Sequence, residues 1–143
     1  MALMSVAEAL ARVLEHATPL AAESAALMQA HERILAADLV ALRTQPPADV
    51  SAMDGYAARA ADVATAPARL RLIGEVAAGH PFSGKVGPGE AARIFTGGVL
   101  PPGADTIVIQ ENTTREGDIV VVTEGTVAGR HIRTAGLDFA NGG

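Results

Sequence analysis

Gly89-Glu90-Ala91-Ala92-Arg93-Ile94-Phe95-Thr96-Gly97-Gly98-Val99-Leu100-Pro101-Pro102-Gly103-Ala104-Asp105 is the stretch that decides the fold. Ala91 to Phe95 reads as a short strand. Thr96 to Ala104 reads as a loop, because Gly97-Gly98 and Pro101-Pro102-Gly103 leave no uninterrupted run for a helix. The strand delivers Thr96 into a Gly-Gly turn whose bare backbone lets a ligand approach closely. A hydroxyl beside exposed amides at such a turn suits contact with an anion.

The same cadence extends in both directions. Leu70 to Ala77 reads as a strand, and Gly79 to Gly89, with four Gly and two Pro, reads as a loop. Thr106 to Glu111 and Ile119 to Thr123 flank Arg115-Glu116-Gly117-Asp118, which predicts a hairpin and its turn. Past Gly129 the chain reads as irregular. Upstream, Pro46-Pro47 marks where the hydrophobic period changes from 3.6 to 2. Directly after it comes Ser51-Ala52-Met53-Asp54-Gly55-Tyr56-Ala57, in which an acid beside a glycine suits a carboxylate held on a fixed loop. Before the di-proline the pattern is helical. Ser5-Val6-Ala7-Glu8 is a capping box, and Val6, Leu10, Val13, Leu14 and Ala17 follow at helical spacing until Pro19. A second helix is expected from about Met28 to Ala36, and a strand or extended segment from Ala37 to Leu42. The fold class expected is mainly β with short amino-terminal helices, an α+β arrangement.

The 143 residues are 49% hydrophobic and 19% charged, enough to bury a core. Thirty of them are alanine, which favours helix but fills little volume. The chain is therefore expected to lean on another domain or subunit. With no cysteine there are no disulfides or thiolate metal sites. A net charge of −5 and only three Phe, one Tyr and no Trp argue against nucleic acid, which needs a basic face and stacking rings. No signal peptide and no apolar run of membrane-spanning length is visible. A cytoplasmic location without membrane partners is the expectation.

Gly79-His80-Pro81-Phe82-Ser83-Gly84-Lys85 matches a phosphate-cradling loop up to its lysine, but Val86 stands where Ser or Thr should hold magnesium. Pro81 also removes an amide, and Gly87-Pro88-Gly89 forbids the helix that the motif needs. It is read as an ordinary loop. His16, His31, His80 and His131 show no metal-ligand spacing. Asp49, Asp54, Asp62 and Asp105 lie near Gly or Pro, where aspartate commonly stabilises turns.

Taken together, the stretches around Ser51–Ala57 and Gly89–Asp105 resemble the amino-terminal region of the MoeA family, the molybdopterin molybdotransferases that share their fold with the E domain of gephyrin. The resemblance covers nearly the whole chain. It includes Ser5 to Leu14, Arg33-Ile34-Leu35-Ala36-Ala37-Asp38, Gly103 to Glu111, and Gly129-Arg130-His131-Ile132-Arg133-Thr134-Ala135-Gly136-Leu137-Asp138. Departures are Ala48 and Val50 where the family usually has Phe and Asn, His31-Glu32 for a common Leu-Gly, and Leu137 for Glu.

The resemblance implies irregular, bifurcated β-sheets in three parts. Residues 1–44 would be an amino-terminal helix and partial domain completed by sequence not present here. Residues 45–130 would be a β-rich subdomain, and 131–143 a return segment towards a pterin-binding domain. It implies an enzyme that inserts molybdate into adenylylated molybdopterin with magnesium, releasing AMP, in which this region supplies cleft-closing loops across a homodimer. By position, Asp54, Thr96 and Asp138 match catalytic cleft residues, with Asp54 and Asp138 as metal ligands. Arg133, Ser51 and Gly97 match substrate-binding positions, and Arg133 has the planar fork that suits phosphate. The alternative, from the gephyrin side of the family, is a non-catalytic dimerisation scaffold.

Overall fold

A computed structural model describes residues 4–143. They fall into two compact units, divided between Leu39 and Val40.

The first unit contains α1 (Val6–Leu14). Its capping box forms as the sequence predicts. The Ser5 amide donates to Glu8 Oε2 at 2.8 Å, and the Glu8 amide donates to Ser5 Oγ at 3.2 Å. Both Ser5 groups, the backbone amide first, hold the Glu8 carboxyl below its ordinary range. Within this unit the described residues leave the apolar stripe uncovered: Val6 is 87% exposed, Val13 76%, and no residue of α1 is buried. The expected helix from Met28 to Ala36 is absent. In its place Leu27–Gln29 makes a single 3₁₀ turn, whose preceding residue, Ala26, offers no side-chain cap. One turn with no cap and no packing partner does not repay nucleation. Arg33 closes this segment by pairing with Glu23 and donating to the Gln29 carbonyl.

The second unit carries two sheets. A small one pairs β1 (Val50–Ser51) with β8 (Ile132–Arg133). The larger contains β2 (Gly55–Ala58), β3 (Ala68–Val76), β4 (Glu90–Ile94), β5 (Thr106–Ile109), β6 (Thr113–Glu116) and β7 (Ile119–Val122), in the order β5-β2-β4-β3-β7-β6. It is mixed, because β3 and β4 run parallel while their other partners are antiparallel. Alternation places side chains on both faces. Tyr56, Ala58, Leu70, Ala91, Val108, Val120 and Val122 pack on one side. Ala57, Val76, Val86, Ala92, Ile94 and Ile107 pack on the other. All four residues of β2 are buried, so its small side chains let it sit between β4 and β5 with both faces covered.

Several sequence expectations are corrected here. The hairpin partner of Ile119–Val122 is Thr113–Glu116, not Thr106–Glu111. The latter stretch supplies β5, at the far edge of the same sheet, and a 3₁₀ turn, Gln110–Asn112. Ala37 to Leu42 forms no strand, and only Ala41 exchanges backbone hydrogen bonds, with Gly142 and Gly143. A short helix, α2 (Ala60–Val63), interrupts the β region, its first amide donating to Asp105 Oδ1 at 2.6 Å. The segment past Gly129, read as irregular, supplies β8. The lysine-bearing loop is a connection between parallel strands, with Val86 buried in the core. No helix of the described residues is long and apolar enough to cross a membrane.

Candidate functional site

β1 is the brace of the site. On one side Ser51 lies opposite Ile132 in β8, and the Ala52 amide donates to the His131 carbonyl at 2.9 Å. On the other side, β1 grips the glycine turn. The Ser51 amide donates to the Gly98 carbonyl and the Gly97 amide donates to the Ser51 carbonyl, each at 2.9 Å. The turn closes on itself through the Gly98 amide and Phe95 carbonyl at 2.8 Å. Gly97 has φ 81°, left-handed backbone that glycine adopts without a Cβ penalty.

This geometry brings Asp54 and Thr96 together across 42 positions of sequence. Asp54 Oδ1 accepts from both the Thr96 amide and the Thr96 hydroxyl at 2.8 Å. The amide first, and then the hydroxyl, hold the Asp54 carboxyl below the ordinary aspartate range. Desolvation opposes them, and the Arg93 charge adds a smaller pull downward. Asp54 Oδ2 accepts no hydrogen bond among the described residues. Ser51 and Gly97 join the same cluster, but Ser51 is buried. Its hydroxyl donates to the Met53 carbonyl at 2.6 Å and accepts from the Met53 amide at 3.3 Å. In this conformation it shapes the loop that carries Asp54 rather than facing a ligand.

Arg133 and Asp138 form a separate pair. Arg133 Nη2 donates to Asp138 Oδ1 at 2.8 Å and to Oδ2 at 2.9 Å. The Asp138 amide donates to the Gln45 carbonyl at 3.0 Å. Asp49 Oδ1, which the sequence reading left as a turn former, ties this segment to β1 by accepting from the Ala135 amide at 2.8 Å. Among the described residues no three of His, Asp or Glu converge in a way that could hold a metal ion. Magnesium accepts one or two protein carboxylates when substrate phosphates complete its shell. The open oxygen of Asp54 fits such a partial role. Asp138 accepts from Arg133 Nη2 at both oxygens, and each oxygen keeps a further lone-pair site.

Arg93 is the residue that sequence reasoning missed. Its guanidinium carbon lies 5.1 Å from the Tyr56 ring centroid and 4.8 Å from that of Phe95. The only available signal was the scarcity of aromatic residues, which does not reveal their register. A cavity of about 480 Å³ opens along the outer edge of β5, lined by residues that include Asn112, Glu124, Arg130 and His131. None of the six predicted site residues lines it.

Comparison with known proteins identifies the family and the fold. The profile of the family described as MoeA N-terminal region (domain I and II) matches residues 4–143. A molybdopterin molybdenumtransferase from Nostoc is 41% identical over 111 residues, covering 75% of this chain and 26% of its own length. One from Synechococcus elongatus is 40% identical over 129 residues, covering 87% and 32%. The crystal structure of the molybdopterin biosynthesis moeA protein from Pyrococcus horikoshii OT3 superposes with TM-score 0.78 at 38% identity, covering 85% of this chain and 33% of that one. The chain thus spans about a third or less of the length of these relatives. A profile match across all the described residues and a shared fold place the chain in the MoeA N-terminal-region family.

Proposed function

We propose that this chain is the amino-terminal region of a cytoplasmic enzyme that inserts molybdate into adenylylated molybdopterin, and that its loops close the reaction cleft across a homodimer. The observation that carries the reading is the Asp54–Thr96 pair, pre-bonded on a glycine turn. The relatives' names supply the chemistry: both are molybdopterin molybdenumtransferases.

In this reading each residue acts according to its hydrogen bonds. A carboxylate held below its ordinary range is a weak proton acceptor at neutral pH, so Asp54 acts by its charge. Thr96 fixes Oδ1 and leaves Oδ2 without a hydrogen bond, so Asp54, with Asp138 as the second carboxylate, would hold magnesium. When bound, magnesium would neutralise charge on the phosphate oxygens of the substrate. Arg133 has five N–H donors, and Asp138 engages only Nη2. The remaining donors suit a phosphate, and Asp138 orients the fork that presents them. The exposed Gly97 amide is already committed to Ser51, so Gly97 serves by leaving room for the anion beside Thr96.

The test uses the full-length enzyme, with cofactor formation measured from adenylylated molybdopterin, molybdate and magnesium. Asp54→Asn and Thr96→Ala should each slow turnover by roughly 10²-fold while the melting temperature stays near wild type. The 143-residue chain alone should give no turnover, because effective concentration is lost with the absent part of the site. If either variant keeps normal turnover, that residue only forms a turn. If the full-length protein gives no turnover and dimerisation survives both changes, the scaffold reading replaces this one.

A further inference from the structure

Asp54 and Thr96 meet on two different loops, and hydrogen bonds between exposed loops are ordinarily mobile. What holds them lies one layer beneath. Arg93 in β4 faces Tyr56 in β2 across the sheet. Of the chain's three Phe and one Tyr, two flank this one guanidinium. Arg93 Nη1 donates to the Gly55 carbonyl at 3.2 Å, and Nη2 donates to Gln110 Oε1 at 2.7 Å. Gln110 in turn donates its backbone amide to the Asp54 carbonyl at 3.1 Å. The carbonyls of Asp54 and Gly55 are therefore both tethered, one by Gln110 and the other by Arg93. Those two tethers fix the backbone from which the carboxylate projects. Phe95, against the guanidinium, is the residue that leads into Thr96. Among the described residues no carboxylate lies within ion-pair distance of Arg93, so its contacts are those of a clamp.

We propose that Arg93, held between Tyr56 and Phe95 and bonded to Gly55 and Gln110, is a positioning residue that brings the Asp54 carboxylate and Thr96 together before substrate arrives. This rests on the reading of Asp54 and Thr96 as part of the reaction site. Arginine suits the task because its planar fork reaches two oxygens while its face stacks on rings, which an ammonium cannot do together.

The experiment reads geometry rather than turnover. The ¹⁵N-labelled 143-residue chain is compared at neutral pH with Arg93→Met, Arg93→Lys and Gln110→Ala. The readouts are the proton shift and hydrogen exchange of the Thr96 amide, with the Leu70 and Val120 amides as controls in the β3–β7 pair. Arg93→Met should speed Thr96 exchange about fivefold, the effect of one typical hydrogen bond, and move its proton upfield. Arg93→Lys should recover less than half of that change. Gln110→Ala, at an exposed position, should move Thr96 in the same direction by less, and it decides alone if Arg93→Met does not fold. The proposal is overturned if Thr96 is unchanged in the folded variants. It is also overturned if Leu70 and Val120 accelerate equally, since Arg93 would then only stabilise the sheet. Normal turnover in both Asp54→Asn and Thr96→Ala would refute the proposed roles of these two residues and leave this result standing, so the two failures are distinguishable.

Discussion

Gly55→Ala should unfold the second unit far more readily than its size suggests. A Cβ at Gly55 would lie 2.1 Å from the Val108 carbonyl oxygen and 3.0 Å from both Val108 C and Ile109 Cα. A carbon rests at about 3.3 Å from a carbonyl oxygen at closest, so the two strands must part by roughly 1 Å. β2 has no direction in which to retreat, because Gly55 pairs with Ile109 of β5 on one side and Ile94 of β4 on the other. Parting by that amount stretches ladder bonds from about 2.9 Å to nearly 4 Å, beyond hydrogen bonding. Overpacking of a well-packed site costs about 1–3 kcal/mol and occasionally more. A clash with the β5 backbone, while β4 is paired on the other side, belongs at the top of that range.

At about 3 kcal/mol, a domain of about 100 residues should lose roughly 12 °C or more in melting temperature. Gly84→Ala is the control. There the new Cβ meets the Phe82 ring edge at 2.6 Å, a side chain that can turn aside, and the change should cost under about 1 kcal/mol. Thermal and urea unfolding of the 143-residue chain, followed by circular dichroism, measures both. If Gly55→Ala melts within about 3 °C of wild type, or no lower than Gly84→Ala, the argument that β2 is locked between β4 and β5 fails.

Acid should weaken the two hydrogen-bonded carboxylates in a defined sense. Asp54 and Glu8 both have folded-state values below their ordinary ones. Their contribution is therefore complete above the unfolded values, about 3.9 and 4.3, and is lost as pH falls through the lower folded values. Carboxyl-carbon NMR titration checks this, and Thr96→Val should raise the Asp54 midpoint only part of the way, because the Thr96 amide remains. The α1 stripe makes a third prediction. With Val6, Leu10, Val13 and Leu14 all exposed, the chain should form a weak, concentration-dependent dimer that a version beginning after Pro19 does not. Sedimentation of the two decides it, and monomers in both cases, with residues 5–17 still protected from exchange, would refute the reasoning.

Legibility in the sequence followed the range of the interactions involved. α1 was legible because its cap spans three positions, Ser5 to Glu8. The strands β3 and β4 were legible because Gly and Pro bracket apolar runs. By contrast, β6 reads Thr-Thr-Arg-Glu, without apolar alternation, since it is an exposed edge paired on one side only. α2 has four residues, and its cap, Asp105, lies 45 positions away. At the site, residue types could be named from local pattern, but the state of each oxygen could not. Asp54 and Asp138 look equivalent as acids beside loops. Pairing across 42 positions leaves one Asp54 oxygen without a partner, whereas pairing across five engages both oxygens of Asp138. Arg93 shows the same limit from the other side. It stands inside the very stretch that decides the fold, yet its contacts with Gly55 and Gln110 exist only once β2, β4 and β5 are in register. The sheet therefore does more than carry the loops, because its register determines which charges are free to meet a substrate.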